Sequence, residues 1–463
     1  MTRADAPQTA VCVDFGSTWT KALHVDLVSG EILGTASAPT SLHEVMEAYD
    51  ACLTVLTDKD SRAADAEILA CSSAGGGLRI AVVGNEELVT AEAGRRVALS
   101  SGGKVVAVVS MASPDARAAL RRTLDTTKPD LVLLTGGTDG GNGEALLQGA
   151  EELAAATRAG VWHGPVVVAG NNAVVDQAAG YMANTKVGLD VIVADNVVPK
   201  IGVLAPESAR AAVREMFLEH VIGGKNLSSR ADFRRIVQGA TPDVVLQGVE
   251  TLAEVLGEDV VVVDVGGATT DVHSVVRPDP EAEHVREEVV AVTPVTRTVE
   301  GDLGMRWSAT TTLAAADHSD PSLAESDLSG EVEHRRNHPG WLPRTEQDKD
   351  IDELLARIAI STALQRHAGR SRVVLSPSGK VIERTGTDLR RVGVVIGSGG
   401  VLRHGRRGIE ERVMRWSARG GWQLPDEPLR EVDSDYVLAA VGLLARSHPA
   451  TARHLATHLT PSR

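Results

Sequence analysis

The sequence has 463 residues, of which 43% are hydrophobic and only 3% aromatic, and its formal net charge is −15. At about 150 residues per domain the length predicts three domains or two large ones, and the negative charge disfavours binding to nucleic acid. The first ten residues are polar and no apolar run approaches the ~20 residues of a membrane span, so we expect neither a secretory signal nor a membrane anchor. Three cysteines without a CxxC pair favour a reducing compartment, and we expect a cytoplasmic protein.

In chain order, the first element is a Val-rich strand that ends in a polar turn at residues 11–21, and a β-hairpin follows over 22–35. Strand-like and helical runs then alternate. The strand-like runs cover 104–109, 131–134, 165–169 and 191–194, and the helical runs cover 113–126, 144–158, 207–221 and 350–367. This alternation predicts an α/β protein whose sheets are mostly parallel and covered by helices.

The first segment of the chain occurs twice. Residues 11–21 align without gaps with residues 261–271, because Asp14 matches Asp264 (264 − 14 = 250) and the flanking Val, Gly and Thr positions match at the same offset. A repeat of this kind indicates a duplicated structural unit.

A second pair of segments looks alike as well. Residues 131–137 and 394–400 each form an apolar run that ends in two glycines, which predicts a buried strand and a tight turn. We therefore predict two equivalent halves, 1–250 and 251–463, with the boundary inside 240–258.

Two polar stretches are interpreted as surface. Residues 316–350 are rich in Asp, Glu, Ser, His and Pro, which predicts an exposed insertion or loop. The basic residues Arg403, Arg406 and Arg407 are interpreted as part of a solvated loop.

The two repeated turns contain the groups that a nucleotide triphosphate needs. Glycine lets the backbone approach a ligand, hydroxyls and successive N–H groups bind anions, and a lysine supplies a positive charge. The predicted phosphate-binding residues are Gly16, Ser17, Thr18 and Lys21 in the first turn and Gly266, Gly267, Thr269 and Thr270 in the second. Asp14 and Asp264 would repel phosphate directly, but carboxylates suit a water-bound Mg²⁺.

A third glycine-rich turn, comprising Gly397, Ser398, Gly399 and Gly400, is predicted to lie against adenosine. No glycine loop ends in GK[ST] and no GxGxxG follows a strand, which argues against a Walker A or dinucleotide-binding site.

Two further motifs leave alternatives open. Residues 135–142 are either a structural turn or a contact of the nucleotide cleft. Residues 300–306 hold either a water-activating carboxylate or a helix cap with a surface ion pair. We assign the orientation of the attacking water to Asp271 or Asp302.

These motifs together resemble the ASKHA superfamily, which includes actin, Hsp70 and sugar kinases. Over nearly its full length the chain is similar to the glutamate-mutase accessory proteins of the MutL/GlmL family, on segments 14–18, 135–142, 169–172, 264–274, 300–306 and 396–402. The resemblance implies two pseudo-symmetric actin-like, RNase H-like domains with a nucleotide cleft between them.

The same resemblance implies ATP and Mg²⁺ as cofactors and an adenosylcobalamin-dependent mutase as protein partner, which an ATP-driven chaperone would reactivate. Three rival hypotheses remain: a small-molecule kinase of the same fold, an actin-like filament protein, and an ATP-binding adaptor without catalysis.

Overall fold

The structure is a computed structural model that describes residues 7–461 except 42, 75–77, 87–88, 184–187, 222–226, 278–293, 317–327 and 377–378. Within these ranges the strands form three five-stranded sheets and one two-stranded hairpin. The strands are β1 Thr9–Phe15, β2 Trp19–Asp26, β3 Ile32–Pro39, β4 Glu67–Ser72, β5 Leu78–Gly84, β6 Gly103–Ser110, β7 Leu131–Leu134, β8 Val166–Val168, β9 Val191–Val193, β10 Val237–Ala240, β11 Val260–Val265, β12 Thr270–Val275, β13 Val295–Glu300, β14 Arg370–Ser376, β15 Gly379–Thr385, β16 Val394–Ser398 and β17 Leu429–Val432.

Helices cover the sheets, as the alternating pattern predicts. They are α1 Met46–Lys59, α2 Thr90–Ser100, α3 Ala116–Thr127, α4 Glu144–Arg158, α5 Val175–Ala183, α6 Glu207–Met216, α7 Ala231–Ile236, α8 Thr241–Leu256, α9 Ala309–Ala314, α10 Ser329–Asn337, α11 Glu346–His367, α12 Gly400–Arg403, α13 Ile409–Val413, α14 Val437–Leu444 and α15 Pro449–Ala456. Short 3-10 turns cover Ser61–Asp65 and Thr457–Leu459, and a π-helical turn covers Phe217–Val221. None of the described helices is both long and apolar enough to cross a bilayer.

Two of the sheets have the same topology. The first lobe has the order β10-β4-β1-β2-β3 and the second has β17-β16-β11-β12-β13 in the matching direction. In both sheets the central strand pairs antiparallel with the next strand and parallel with a later one. The pairing β1–β2 places Asp14 opposite Lys21, and β11–β12 places Asp264 opposite Asp271. The predicted duplication is therefore present in the fold.

The predicted equivalence of residues 131–137 and 394–400 is wrong. β16 pairs with β11 in the second lobe, but β7 belongs to the third sheet, and the first-lobe counterpart of β16 is β4, which pairs with β1. Both segments are buried strands followed by glycines, so the local pattern cannot distinguish them. The sequence signal that could have identified β4 as the counterpart of β16 is the run of three glycines at 75–77, directly after β4. These glycines lie outside the described residues.

The third sheet is inserted into the first lobe between β4 and β10. Its five strands are all parallel, in the order β6-β5-β7-β8-β9, which is a doubly wound arrangement. One face shares a core with the first-lobe sheet, where Val13 and Phe15 pack in the same cluster as Ile80, Val82 and Leu133. The first half is thus larger than its counterpart because it carries an additional α/β layer.

The expected boundary, 240–258, is occupied by a helix rather than a linker. α8 packs against α14, and these two helices fill the core between the two lobe sheets. Where they cross, a Cβ on Gly248 would collide with the Leu438 carbonyl, and a Cβ on Gly442 would collide with the Val244 carbonyl. The two backbones can approach this closely only because neither helix has a side chain at the crossing.

The polar stretch 316–350 differs from the expected loop over its described part, 328–350. Most of its side chains are exposed, but it contains α10, which is held by Arg335. This arginine is 0% exposed, and its Nε lies 2.7 Å from Asp352, whose other oxygen is 2.9 Å from Arg306 Nη2. Because its paired oxygens satisfy both guanidinium groups, Asp352 fixes α10 against α11.

We predict that Gly442→Ala lowers the free energy of unfolding by about 1–3 kcal/mol, because a methyl group forces the crossing helices apart. Gly180→Ala is the matched control: Gly180 lies in α5 with no atom within 4 Å of the added Cβ, so the substitution should stabilise by about 0.5–1 kcal/mol. Chemical denaturation measures both, and equal effects in the two variants would contradict the tight crossing.

We predict that Arg335→Met costs about 3–5 kcal/mol of stability, because it leaves the buried Asp352 carboxylate with half its partners. Arg336→Met changes the adjacent, exposed arginine of the same helix and should stay within about 0.5 kcal/mol of the wild type. Thermal unfolding followed by circular dichroism compares the two, and a stable Arg335→Met protein would show that the ion pair is dispensable.

Candidate functional site

The first-lobe half of the site is built around Asp14, near the end of β1. Its side chain faces the lobe boundary because Cys12, two residues earlier, packs in the core between the lobes. One carboxylate oxygen is 3.4 Å from Lys21 Nζ, and the other accepts a 2.6 Å hydrogen bond from Thr241 Oγ1 and a 3.6 Å contact from Cys71 Sγ. Asp14 is 8% exposed, so these partners fix its position.

The second-lobe half is built around Asp264 at the equivalent position of β11. Ser398 lies opposite it on β16, as Cys71 lies opposite Asp14 on β4. Burial raises the pKa of the Asp264 carboxyl, Lys21 opposes the rise, and the carboxylates of Asp271 and Asp14 add to it. The side chain is thus surrounded by charges from both lobes.

Lys21 is the point at which the two halves meet. Burial lowers its pKa, but the carboxylates of Asp14 and Asp264 raise it more, so the net shift is upward and the amine stays charged. The structure therefore brings together Asp14, Lys21, Asp264 and Ser398 from four different strands. These are the residues that the repeated motifs predict for a single site.

The two turns beside this cluster differ in what they expose. Ser17 and Thr18 are exposed at the tip of the first turn, whereas Thr20 is fully buried and bonded to the Thr40 hydroxyl at 2.9 Å. In the second turn Thr269 is half-buried, and Thr270 is fully buried with no partner for its hydroxyl among the described residues. Thr270 therefore lies beneath the turn, not on the surface where we expected it to meet phosphate.

Glycine is required at the tight points of these turns. A Cβ on Gly16 or Gly266 would collide with the carbonyl of the residue three positions later, Trp19 or Thr269. Gly267, in contrast, has ordinary packing distance to Arg306.

The third glycine turn leaves open space at its end. Gly399 has a φ of +110°, and a Cβ there would collide with the Val265 carbonyl, so it packs on β11. Gly397 is buried against Leu402 and Met414. Gly400 is exposed with nothing within 4 Å of an added Cβ, so a flat group can approach its backbone.

Residues 300–306 support the second turn. Met305 and Arg306 donate backbone hydrogen bonds to the carbonyls of Gly266 and Gly267, at 3.0 and 2.8 Å, and Ser308 Oγ donates to the Ala268 carbonyl at 2.7 Å. Of the two interpretations of this segment, the surface ion pair is present, because Arg366 pairs with Glu300 and Asp302. The backbone of the segment in addition supports the turn.

The two aspartates assigned to the attacking water are both engaged by arginines. Asp302 accepts hydrogen bonds from Arg366 at 2.7 and 2.9 Å, on the surface. Asp271 is 3.1 Å from Nη2 of the buried Arg297, whose Nη1 donates to the Leu99 carbonyl of the inserted layer at 3.0 Å.

Residues 135–142 follow β7 at the carboxyl end of the inserted sheet. The buried Asn171 accepts from Gly140 N and donates to the Gly141 carbonyl, and Asn196 donates to the Gly137 carbonyl and to Asp139. This turn is fastened to the neighbouring strands β8 and β9, which favours the structural interpretation.

Sequence reasoning missed two residues of the site, Thr241 and Asp433. Each follows the last strand of its lobe sheet at the start of a crossing helix. Asp433 is 1% exposed and accepts hydrogen bonds from Val437 N and Leu438 N at 2.7 and 3.1 Å. Burial raises its pKa to about 6, and the charge of Asp264 adds to the rise. The duplication could have indicated them, because a polar residue after the last strand of one lobe sheet predicts a polar residue at the equivalent place in the other lobe.

The residues present fit a nucleotide and a water-bound magnesium ion. The two aspartates provide the oxygen donors that Mg²⁺ prefers, and a charged lysine stands between them. Over the described ranges no three His, Cys, Asp or Glu side chains gather into a direct metal-ligand set.

The duplicated sheets, with the site where they meet, define a two-lobed α/β protein built from a repeated five-stranded unit. A family model described as MutL protein matches residues 10–459, and Protein MutL of Clostridium tetanomorphum is 35% identical over 454 residues, which cover 94% of this chain and 96% of that protein. The chain belongs to the MutL protein family.

Solved structures align with the chain at low similarity. The activator of 2-hydroxyisocaproyl-CoA dehydratase from Clostridium difficile with bound ADPNP is 10% identical, with 98% of this chain and 99% of that chain covered and a TM-score of 0.31. The xylulose kinase from Lactobacillus acidophilus is 10% identical, with coverage of 98% and 93% and a TM-score of 0.31. At these scores the likeness adds nothing to what the strand order already shows.

We predict that Asp433→Asn changes the pH dependence of stability. Because the folded pKa of about 6 lies above the ordinary value of 3.8, this carboxyl favours the folded state at low pH and loses that contribution as the pH rises from about 4 to 6. The stability of Asp433→Asn relative to the wild type should therefore increase by up to about 3 kcal/mol between pH 4 and pH 7.

Urea unfolding at several pH values measures this difference. Asp58→Asn, which removes an exposed carboxylate from α1, controls for the loss of one negative charge. A constant difference between Asp433→Asn and the wild type over pH 4–7 would contradict the raised pKa.

Proposed function

We propose that this chain binds Mg–ATP between its lobes and hydrolyses it. The observation that carries the proposal is the meeting of Asp14 and Asp264, one from each copy of the repeat, at the charged Lys21. A carboxylate pair around one lysine is a poor arrangement for a structural core, since burial penalises each charge. It is a good arrangement for a ligand that brings both phosphate and a divalent cation.

In this proposal Asp14 and Asp264 hold Mg²⁺ through its water shell. Lys21, the exposed hydroxyls of Ser17 and Thr18 and the turn at Gly266–Thr269 bind phosphate, and Gly400 faces the adenosine. Magnesium bound there neutralises the phosphate charge. The protein's own contribution is positioning, because phosphoryl transfer depends mainly on alignment and electrostatics.

One observation weighs against the small-molecule kinase. Such an enzyme needs a carboxylate base beside the terminal phosphate, and the two acids that we assigned to the attacking water, Asp271 and Asp302, are paired with Arg297 and Arg366. With both carboxylates held by arginines, we favour slow hydrolysis that depends on alignment and electrostatics and not on a strong base.

We further propose that the ATPase acts on another enzyme, an adenosylcobalamin-dependent mutase, as a reactivating partner. Membership of the MutL protein family supports this role. Mechanically, the nucleotide can drive such work only if it binds two arrangements of the lobes with different affinity. The close crossing of α8 and α14 is where the two lobes pack on each other, so a difference between two lobe arrangements has to be accommodated there.

We predict that Asp14→Asn and Asp264→Asn each reduce Mg–ATP hydrolysis at least about 100-fold, because each removes a charge that faces the metal. Asp58→Asn should leave the rate unchanged. The measurement is phosphate release by the purified protein, alone and with a cobalamin-inactivated amino-acid mutase.

Stimulation by the inactivated mutase, lost in Asp14→Asn, supports both the site and the partner. Hydrolysis without stimulation supports the site and removes this partner. ATP binding without phosphate release in any mixture would overturn the ATPase and leave an adaptor.

A further inference from the structure

Tyr436 lies between one positive charge from each lobe. Its ring centroid is 4.1 Å from Lys21 Nζ and 4.4 Å from Arg403 Cζ. Lys21 belongs to β2 of the first lobe, and Arg403 ends α12, which follows the glycine turn of the second. A cation over an aromatic face is attracted by the quadrupole of the ring. All three side chains line one cavity together with Asp14 and Asp435.

The backbone of Tyr436 is in a conformation that tyrosine rarely adopts. Its φ of 57° and ψ of 39° place it in the left-handed region immediately before α14. Among the described non-glycine residues, only Lys128 and Glu427 share a positive φ, at a helix end and in an exposed segment. Residues held in this region persist where their surroundings determine them, and they cluster at ligand sites.

Of the three arginines that we interpreted as part of a solvated loop, Arg407 is exposed as expected, Arg406 forms ion pairs, and Arg403 is half-buried. Arg406 is within 2.6–3.2 Å of three carboxylates, and Arg412 pairs with Glu353 at 2.9 Å. For Arg403, no carboxylate in the described part of the chain lies within ion-pair distance. In a protein with a net charge of −15, a half-buried guanidinium without an acidic partner is suited to an anionic ligand.

We propose that Arg403 is a second phosphate-binding residue of the nucleotide site and that Tyr436 is the residue that positions it. The inference rests on the proposed function, because it takes the phosphate chain of a nucleotide to lie beside Lys21. Lys21 then binds the chain from the first lobe and Arg403 binds it from the second. A nucleotide with a longer phosphate chain bridges the two cations and holds the lobes together more tightly.

The test is the dissociation constant of Mg–ATP, measured by calorimetry at low salt and at about 0.5 M salt. Arg403→Gln should weaken binding about 10-fold at low salt, as expected for the loss of one charge-assisted hydrogen bond, and by less at high salt, because salt screens the charge. Arg403→Lys should fall between Arg403→Gln and the wild type. Arg407→Gln, an exposed arginine of the same segment, should bind as the wild type does.

Tyr436 is tested by the same measurement. Tyr436→Phe keeps the ring and should bind Mg–ATP within about 3-fold of the wild type, whereas Tyr436→Ala should lose nearly as much affinity as Arg403→Gln. The thermal midpoint without nucleotide should be the same for Arg403→Gln and Arg407→Gln.

The outcomes separate this inference from the proposed function. If the wild type does not bind Mg–ATP, both fail. If the wild type binds and Arg403→Gln binds equally well, the inference is wrong and the proposed function stands. If Arg403→Gln lowers the thermal midpoint and loses the same affinity at both salt concentrations, the residue is structural and the inference is equally wrong.

Discussion

The crossing of α8 and α14 is the constraint on which the arrangement of this protein depends. Each helix has a glycine against the backbone of the other, so the helix axes are closely spaced, and the side chains around the crossing pack in one core. Both helices also begin at the site. α8 starts with Thr241, which holds Asp14, and α14 is preceded by Asp433 and Tyr436 beside Asp264 and Lys21. The packing of the two helices therefore sets the position of the residues that hold both carboxylates.

The repeated segments and the elements that depend on a local sequence pattern could be predicted from the sequence. The 250-residue offset located both halves of the site, and the strands and helices with clear periodicity, such as β7 and α4, lie where they were expected. The sequence was insufficient for long-range pairing: β4 and β7 are both short apolar strands before glycines, and only the sheet shows which one lies beside β1. Ion pairs could not be predicted either, because the sequence around Asp271 does not indicate that its partner, Arg297, lies 26 residues later.

The inserted sheet adds a connection that two lobes alone would not have. The turn between α2 and β6 is held from both sides. Gly102 lies against Asp243 of α8, where an added Cβ would be 2.9 Å from the Asp243 nitrogen. On the other side, Arg297 of β13 donates to the carbonyls of Leu99 and Gly103 at 3.0 and 3.4 Å. One short turn thus contacts the crossing helix of the first lobe and the sheet of the second.

This double contact decides what happens to the insert when the cleft changes. Arg297 also pairs with Asp271, next to the second phosphate turn, and Asp243 lies two residues after Thr241, the partner of Asp14. If the lobes move relative to each other, the turn must either lose one set of contacts or travel with one lobe. If the turn moves away from the second lobe, Arg297 keeps its ion pair with Asp271 and loses only its hydrogen bonds to the carbonyls of Leu99 and Gly103, whereas Gly102 meets Asp243 through packing. The insert also shares a core with the first-lobe sheet, in which Ile80 and Val82 pack with Val13, so it is fixed to the first lobe. The hydrogen bonds from Arg297 are then contacts that connect the insert to the second lobe.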